Sequence, residues 1–364
     1  MTICAAVLTA CGSDDNRAAS TPGAVGGGSC GGNNALTAEG STAQQVAFAL
    51  FNQVWGQLCP GKTVAYNPTG SGAGRDQFIA GHVDFAGSDS PLIASQIGPA
   101  TQRCNGSPAW DLPLVFGPIA LVYNLPGVPK QAVNADALAK IFSGGVLSWD
   151  DPILAALNPG VRLPTTRITP IYRKDSSGTT DNFQKYLSTA APQSWTRGVG
   201  TEFQGGVGEG APRSAGVVQA VQATPGSIGY VEKGFADRAG VPFAQIDTGN
   251  GVVALTDQTA RNAFNAVTFA ADGNDLVLEL GSMYGTQDPT SYPLVMATYE
   301  IVCSKGYDPD TAAVVKAFLA TAVDKGQAAL PSAGYVPLPD KVKERLITAI
   351  GSRLIVTRTS SECR

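Results

Sequence analysis

The strongest constraint in this chain is a turn used three times: an apolar extended run, then glycine beside hydroxyl residues, then a helical run. The three turns are Gly40-Ser41-Thr42, Gly70-Ser71-Gly72-Ala73-Gly74 and Ser176-Ser177-Gly178-Thr179-Thr180. Alternating strand and helix units of this kind argue for parallel sheets covered by helices on both faces. A helix start carries unpartnered N–H groups and partial positive charge, so it receives an anion readily. Glycine admits close backbone approach, and Ser/Thr hydroxyls add rotatable donors. One such turn alone is an ordinary capped helix. Three together, with Arg173 just ahead of the last, point to a receptor for a small oxyanion.

Further along, the pattern predicts strands at 35–39, 63–66, 84–86 and 168–173, and helices near 42–57, 75–80, 135–143, 180–187 and 214–222. In the first helix Val46, Leu50 and Val54 recur at helical spacing, as do Phe51, Trp55 and Leu58. Leu112 to Asn124 is a long β-leaning run containing Gly117 and Pro118, read as a strand crossing between two lobes. Tyr292 to Val302 is read as a second crossing strand, and helices near 310–325 and 339–350 close the chain.

The 364 residues are enough for two lobes, and mean hydropathy near zero with 43% apolar residues fits a globular protein with real cores. A net charge of −4 with no Lys/Arg cluster argues against nucleic acid. The single histidine, His82, makes most zinc and acid–base constellations improbable, and no metal or cofactor is expected. Leu8-Thr9-Ala10-Cys11-Gly12 has the form of a bacterial lipobox with Cys11 as the lipidated residue. The stretch before it is short and lacks basic residues, so a start further upstream is expected. Residues 12–29 read as a flexible tether, making 1–29 leader and tether, and 351–364 an irregular tail. No later segment has the roughly 18 or more apolar residues of a spanning helix.

Cys30, Cys59, Cys104, Cys303 and Cys363 lie beyond the lipobox, with no CxxC pair among them. Outside the membrane disulfides persist. Cys30 and Cys59 each precede a predicted strand, and parallel neighbours would set those two starts side by side. Cys104 precedes one strand and Cys303 ends another expected to run antiparallel to it. Of the three possible connectivities, Cys30–Cys59 with Cys104–Cys303 is therefore expected, leaving Cys363 odd.

Two motif matches dissolve on context. Gly56-Gln57-Leu58-Cys59-Pro60-Gly61-Lys62-Thr63 satisfies the Walker A pattern, but a helix precedes it and a β-type run follows, the reverse of a phosphate cradle. It is a helix-to-strand turn. Gly206-Val207-Gly208-Glu209-Gly210-Ala211 follows no apolar strand and is read as a glycine-rich loop. A serine hydrolase is equally unsupported: Thr69 breaks Gly-x-Ser-x-Gly around Ser71, and His82 reads as a surface or turn residue.

Tyr172 to Thr180 carries the strongest chemistry. Arg173 leaves a strand end and offers a planar fork of donors to a tetrahedral anion. Asp175, two residues on, is placed to pin that guanidinium from behind, while Ser177, the Gly178 N–H and Thr179 present donors at the helix start. Asp89, after Gly87-Ser88, is the oddity. An ionised carboxylate only accepts, so it bonds an oxyanion that still carries a proton and repels a sulfate dianion. An unpaired buried charge costs a few kcal/mol, about two or more decades of discrimination.

These residues resemble a known family. The lipobox, the three glycine–hydroxyl turns, Val83-Asp84-Phe85-Ala86-Gly87-Ser88-Asp89 and Pro225-Gly226-Ser227-Ile228-Gly229-Tyr230-Val231-Glu232 look like the PstS phosphate-binding proteins of ABC importers. The cysteine pattern and Phe203 to Gly210 are similar to mycobacterial lipoprotein members, and the resemblance spans about 30–350. It implies the type II two-lobed periplasmic-binding-protein fold, an α/β protein with lobe I at 30–116 and 292–350 and lobe II at 117–291. It also implies phosphate contacts from Thr42, the Ala43 backbone and Ser71, with Asp89 accepting the phosphate proton. Arg173, Ser177, Gly178 and Thr179 would donate from the other lobe. Many relatives carry a bulkier residue in place of Ala43, which concerns packing over the anion rather than the N–H. The implied function is capture of inorganic phosphate at the outer face of the cell membrane by a lipid-anchored monomer. Delivery is to the permease subunits of an ABC importer. Two other classes share the scaffold: a phosphatase, which would need a nucleophile and base, and a surface adhesin or receptor.

Overall fold

The computed structural model describes residues 30–128 and 130–353; the lipobox with Cys11, the tether and Cys363 lie outside them. In chain order the main elements are β1 (Ala35–Gly40), α1 (Gln45–Leu58), β2 (Thr63–Asn67), α2 (Ser71–Ile79), β3 (Phe85–Ser88), α3 (Ala94–Arg103), β4 (Ala109–Tyr123) and α4 (Ala135–Ser143). There follow β5 (Thr169–Arg173), α5 (Gly178–Ala190), β6 (Glu209–Ala211), α6 (Arg213–Ala223), β7 (Ser227–Glu232), α7 (Lys233–Ala239), β8 (Val295–Cys303), α8 (Pro309–Asp324) and α9 (Asp340–Arg353).

One continuous eight-stranded sheet runs in the order β2-β1-β3-β8-β4-β7-β5-β6. The outer strands are parallel to their neighbours on each side, β1 with β2 and β3, and β5 with β6 and β7. Antiparallel pairing is confined to the middle. Ala109–Pro118 of β4 pairs with β8, and Ile119–Tyr123 pairs with β7, so β4 belongs to both halves. The change of partner falls at Gly117 and Pro118, as the interrupted apolar run leads one to expect. Almost every residue of β4 and β8 is buried, because helices cover both faces.

The buried face of α1 is Ala47, Phe48, Phe51 and Trp55; Phe48 and Trp55 meet Phe318 of α8 at ring-centroid distances of 5.2 and 5.3 Å. Leu58, expected on an apolar face, is 54% exposed at the last turn. The helix expected from Arg75 begins at Ser71. Its glycines admit a close crossing, since a Cβ on Gly74 would fall 2.5 Å from the Gly40 Cα. Likewise α5 begins at Gly178 rather than Thr180, capped by Ser177, whose Oγ accepts the Thr180 N–H at 3.3 Å. Gly98 and Pro99 hide α3 from a periodicity reading.

The Walker-like stretch is the helix-to-strand turn expected, and the Lys62 ammonium donates to the carbonyls of Gly31, Gly32 and Asn33 at 3.2, 2.6 and 2.7 Å. Disulfides join Cys30 to Cys59 and Cys104 to Cys303. Each follows the predicted strand neighbours: Ala35 pairs with Thr63 in parallel, and Cys303 pairs with Ala109 antiparallel.

Candidate functional site

Both halves of the sheet turn their strand-to-helix ends toward one point. From one side come the β1–α1 turn with Ser41, Thr42 and Ala43, Ser71 at the start of α2, and Asp89 just past β3. From the other come Arg173 at the end of β5, the start of α5, and the β6–α6 turn. The approach is close. A Cβ on Gly178 would lie 2.6 Å from the Asp89 Cβ and 2.7 Å from the Ser71 Oγ, so only glycine allows α5 this near. The Gly72 N–H donates across to the Ser176 carbonyl at 3.1 Å.

Asp89 is the hub, 3% exposed. Its Oδ1 accepts from Ser41 Oγ at 2.5 Å and Thr298 Oγ1 at 2.8 Å, and its Oδ2 accepts from Thr179 Oγ1 at 3.1 Å. Its own N–H donates to Ser71 Oγ at 3.1 Å, and the Asn182 amide donates to its carbonyl at 2.8 Å. Burial pushes the carboxyl above its ordinary range, while Ser41, Thr298, the Arg173 charge and Thr179 pull it back.

Arg173, also 3% exposed, is held by Asp175: Nε donates to Oδ1 at 2.9 Å and Nη2 donates to Oδ2. Asp175 Oδ1 also accepts the Arg213 N–H at 2.8 Å. Burial raises the Asp175 carboxyl, but the bonds and charge of Arg173 and the Arg213 N–H bring it below its ordinary value. Asp175 thus holds one edge of the fork, the Arg173–Asp175 contact that the spacing in sequence suggests.

The structure thus brings Thr42, Ser71, Asp89, Arg173, Ser177, Gly178 and Thr179 to one cleft. Ala43 adjoins it; its N–H donates to Ser41 Oγ at 3.1 Å and its carbonyl accepts from Tyr335 at 2.6 Å. Four residues here escaped the sequence reading as site residues: Ser41, Asn182, Ser214 and Thr298. Ser214, second residue of α6, shares a hydrogen bond of 2.7 Å with Thr42 Oγ1, to which its N–H also donates at 3.2 Å. Its signal was the glycine-rich loop itself, since Glu209–Ala211 is a strand and the next residues open a helix. His82 is exposed on a turn, with Nδ1 2.8 Å from the Gln77 amide oxygen. Among the described residues no group of three or more His, Cys, Asp or Glu could hold a metal ion.

Fold and cleft define a two-lobed periplasmic-binding protein, and the model of the PBP superfamily domain matches residues 17–324. The chain is 46% identical over 353 residues to Phosphate-binding protein PstS 3 of Mycobacterium tuberculosis, covering 96% of this chain and 95% of the relative. To PstS 2 of the same organism it is 45% identical over 351 residues, 95% of each chain. It belongs to the PstS family of phosphate-binding proteins. In fold it matches the periplasmic phosphate-binding protein PfluDING, solved with phosphate, at a TM-score of 0.70 and 23% identity over 86% of this chain and 93% of that one.

Proposed function

We propose that the protein captures one hydrogen phosphate ion between its lobes and hands it to the membrane permease of an ABC phosphate importer, making and breaking no bond. One observation carries this reading. A buried carboxylate, which when ionised only accepts, faces a guanidinium fork and helix-start N–H groups that only donate, with hydroxyls beside them that can do either. A tetrahedral anion that keeps one proton satisfies both sides at once; a sulfate dianion has no proton for the site left free on Asp89 Oδ2. The ligands are Thr42, the Ala43 backbone, Ser71 and Asp89 from one lobe, and Arg173, Ser177, Gly178 and Thr179 from the other. Asp175 backs Arg173. The M. tuberculosis relatives named for phosphate binding support the same ligand.

The lobes are 30–116 with 292–350, and 117–291, hinged where β4 changes partner. Within 117–291 the hairpin at 268–279 is the exception and packs on the first lobe, where the Leu276 N–H donates to the Asp111 carbonyl and the Asn274 amide to Ser352 Oγ. Lipid on Cys11 tethers a monomer to the outer face of the membrane, and among the described residues no helix is long and apolar enough to cross one. Calorimetry with inorganic phosphate and with sulfate at neutral pH tests the reading. One phosphate per chain with negligible sulfate binding is expected; equal affinities would overturn it. A chromogenic phosphate ester should release no product.

A further inference from the structure

We infer that Ser41 and Thr298 are positioning residues that choose which oxygen of Asp89 meets the anion and hold that carboxylate in its acceptor-only form. The inference rests on the phosphate reading above. Each carboxylate oxygen offers about two lone-pair sites. Both on Oδ1 are taken, by Ser41 at 2.5 Å and Thr298 at 2.8 Å. The Ser41 hydroxyl has little freedom to turn away, since its oxygen accepts the Ala43 N–H at 3.1 Å and its hydrogen is left for Asp89. Thr298 sits on β8, an interior strand that pairs with both β3 and β4, and is itself buried. Only Oδ2 keeps a free site, and it is the oxygen that meets Thr179 at the start of α5. A proton on Oδ1 would confront two donors, so the anion's proton is directed to Oδ2.

The same two bonds govern charge. Burial disfavours an ionised Asp89, and hydrogen bonds to the ionised form oppose that cost. The other charged or titratable groups facing it are Arg173 of β5, which favours the anion, Arg75 of α2, Tyr66 of β2 and Glu300 of β8. Burial pushes Glu300 up to about 8, so it is mostly neutral at pH 7 and gains charge, and repels Asp89, only toward the alkaline end of the range. Removing either hydroxyl therefore lets Asp89 take up a proton at higher pH. A protonated Asp89 donates, and the site then accepts sulfate.

The test is calorimetry with inorganic phosphate and sulfate from pH 5 to 8.5 on the full chain, on Thr298→Val, Ser41→Ala and Thr298→Ser. In Thr298→Val and Ser41→Ala, sulfate binding should set in about one pH unit higher than in the parent, raising the sulfate-to-phosphate affinity ratio about tenfold wherever Asp89 of the parent is still ionised. Thr298→Ser, which restores the hydroxyl, should keep the parent ratio. If both affinities fall by one common factor with an unchanged pH profile, the two residues only pack the site and the inference is wrong. A parent protein that binds no phosphate would overturn the proposed function first, and this inference with it.

Discussion

Asp89 and Asp175 stand on opposite sides of one cleft and are treated in opposite ways. Asp89, beyond β3, is given neutral hydroxyl donors and is pushed up by burial. Asp175, beyond β5, is given a guanidinium and falls below its ordinary range despite its own burial. The difference separates two tasks. In the proposed function charge attraction falls to the Arg173 side, where Asp175 holds the fork in place, and the test for a proton on the anion falls to the Asp89 side. A second cation bonded to Asp89 would occupy its free oxygen and blunt that test.

The comparison breaks most visibly at Asp89. Asp89→Asn replaces an obligate acceptor by a group that can also donate, so sulfate should gain about a hundredfold or more relative to phosphate. Competition calorimetry at pH 7.5 measures it, and an unchanged ratio would place discrimination elsewhere. Next in size is Arg173→Lys, which keeps the charge and loses the fork. A loss of about 1.5–3 kcal/mol in phosphate binding is expected, the range for a charge-assisted bond. An unchanged dissociation constant would show that the guanidinium does not touch the anion.

Asp175→Asn sharpens the contrast through stability. A carboxylate whose folded pKa is depressed stabilises the fold above its unfolded value, and that contribution is lost as pH falls through the folded value. Thermal unfolding should therefore show the variant weaker by about 1–2 kcal/mol at pH 7, with the gap closing below about pH 4. A gap constant with pH would mean packing, not charge, was lost. Smallest is Ser214→Ala, which removes one neutral hydroxyl from the bridge to Thr42 between the two sides. Phosphate affinity should drop by about 0.5–1.5 kcal/mol, with the sulfate ratio untouched. A change in that ratio would give α6 a share in the proton test.

Much of this arrangement was legible before any coordinates. The glycine–hydroxyl turns, the Arg173–Asp175 pair and the lone Asp89 are local patterns whose chemistry survives in a linear reading. The disulfide pairs were legible because neighbouring strands bring their flanking residues together. Sequence places the starts of α2 and α5 too late, since glycines that permit close packing look like loop residues there. The opening of α6 at Arg213 and Ser214 is hard to place in sequence because the strand ahead of it, β6, is only three residues long.

The sequence alone marked the turns that open helices with glycine and hydroxyl donors, because cap geometry, glycine freedom and the reach of an arginine to a residue two places on are properties of a short stretch of chain. Tertiary structure alone decided how Asp89 behaves. Its hydroxyl partners lie 48, 90 and 209 residues away in sequence, and a single serine or threonine carries no periodicity that would mark it. Burial, which raises that carboxyl, and the choice of oxygen left free arise only when β1, β3, β8 and α5 pack around one point.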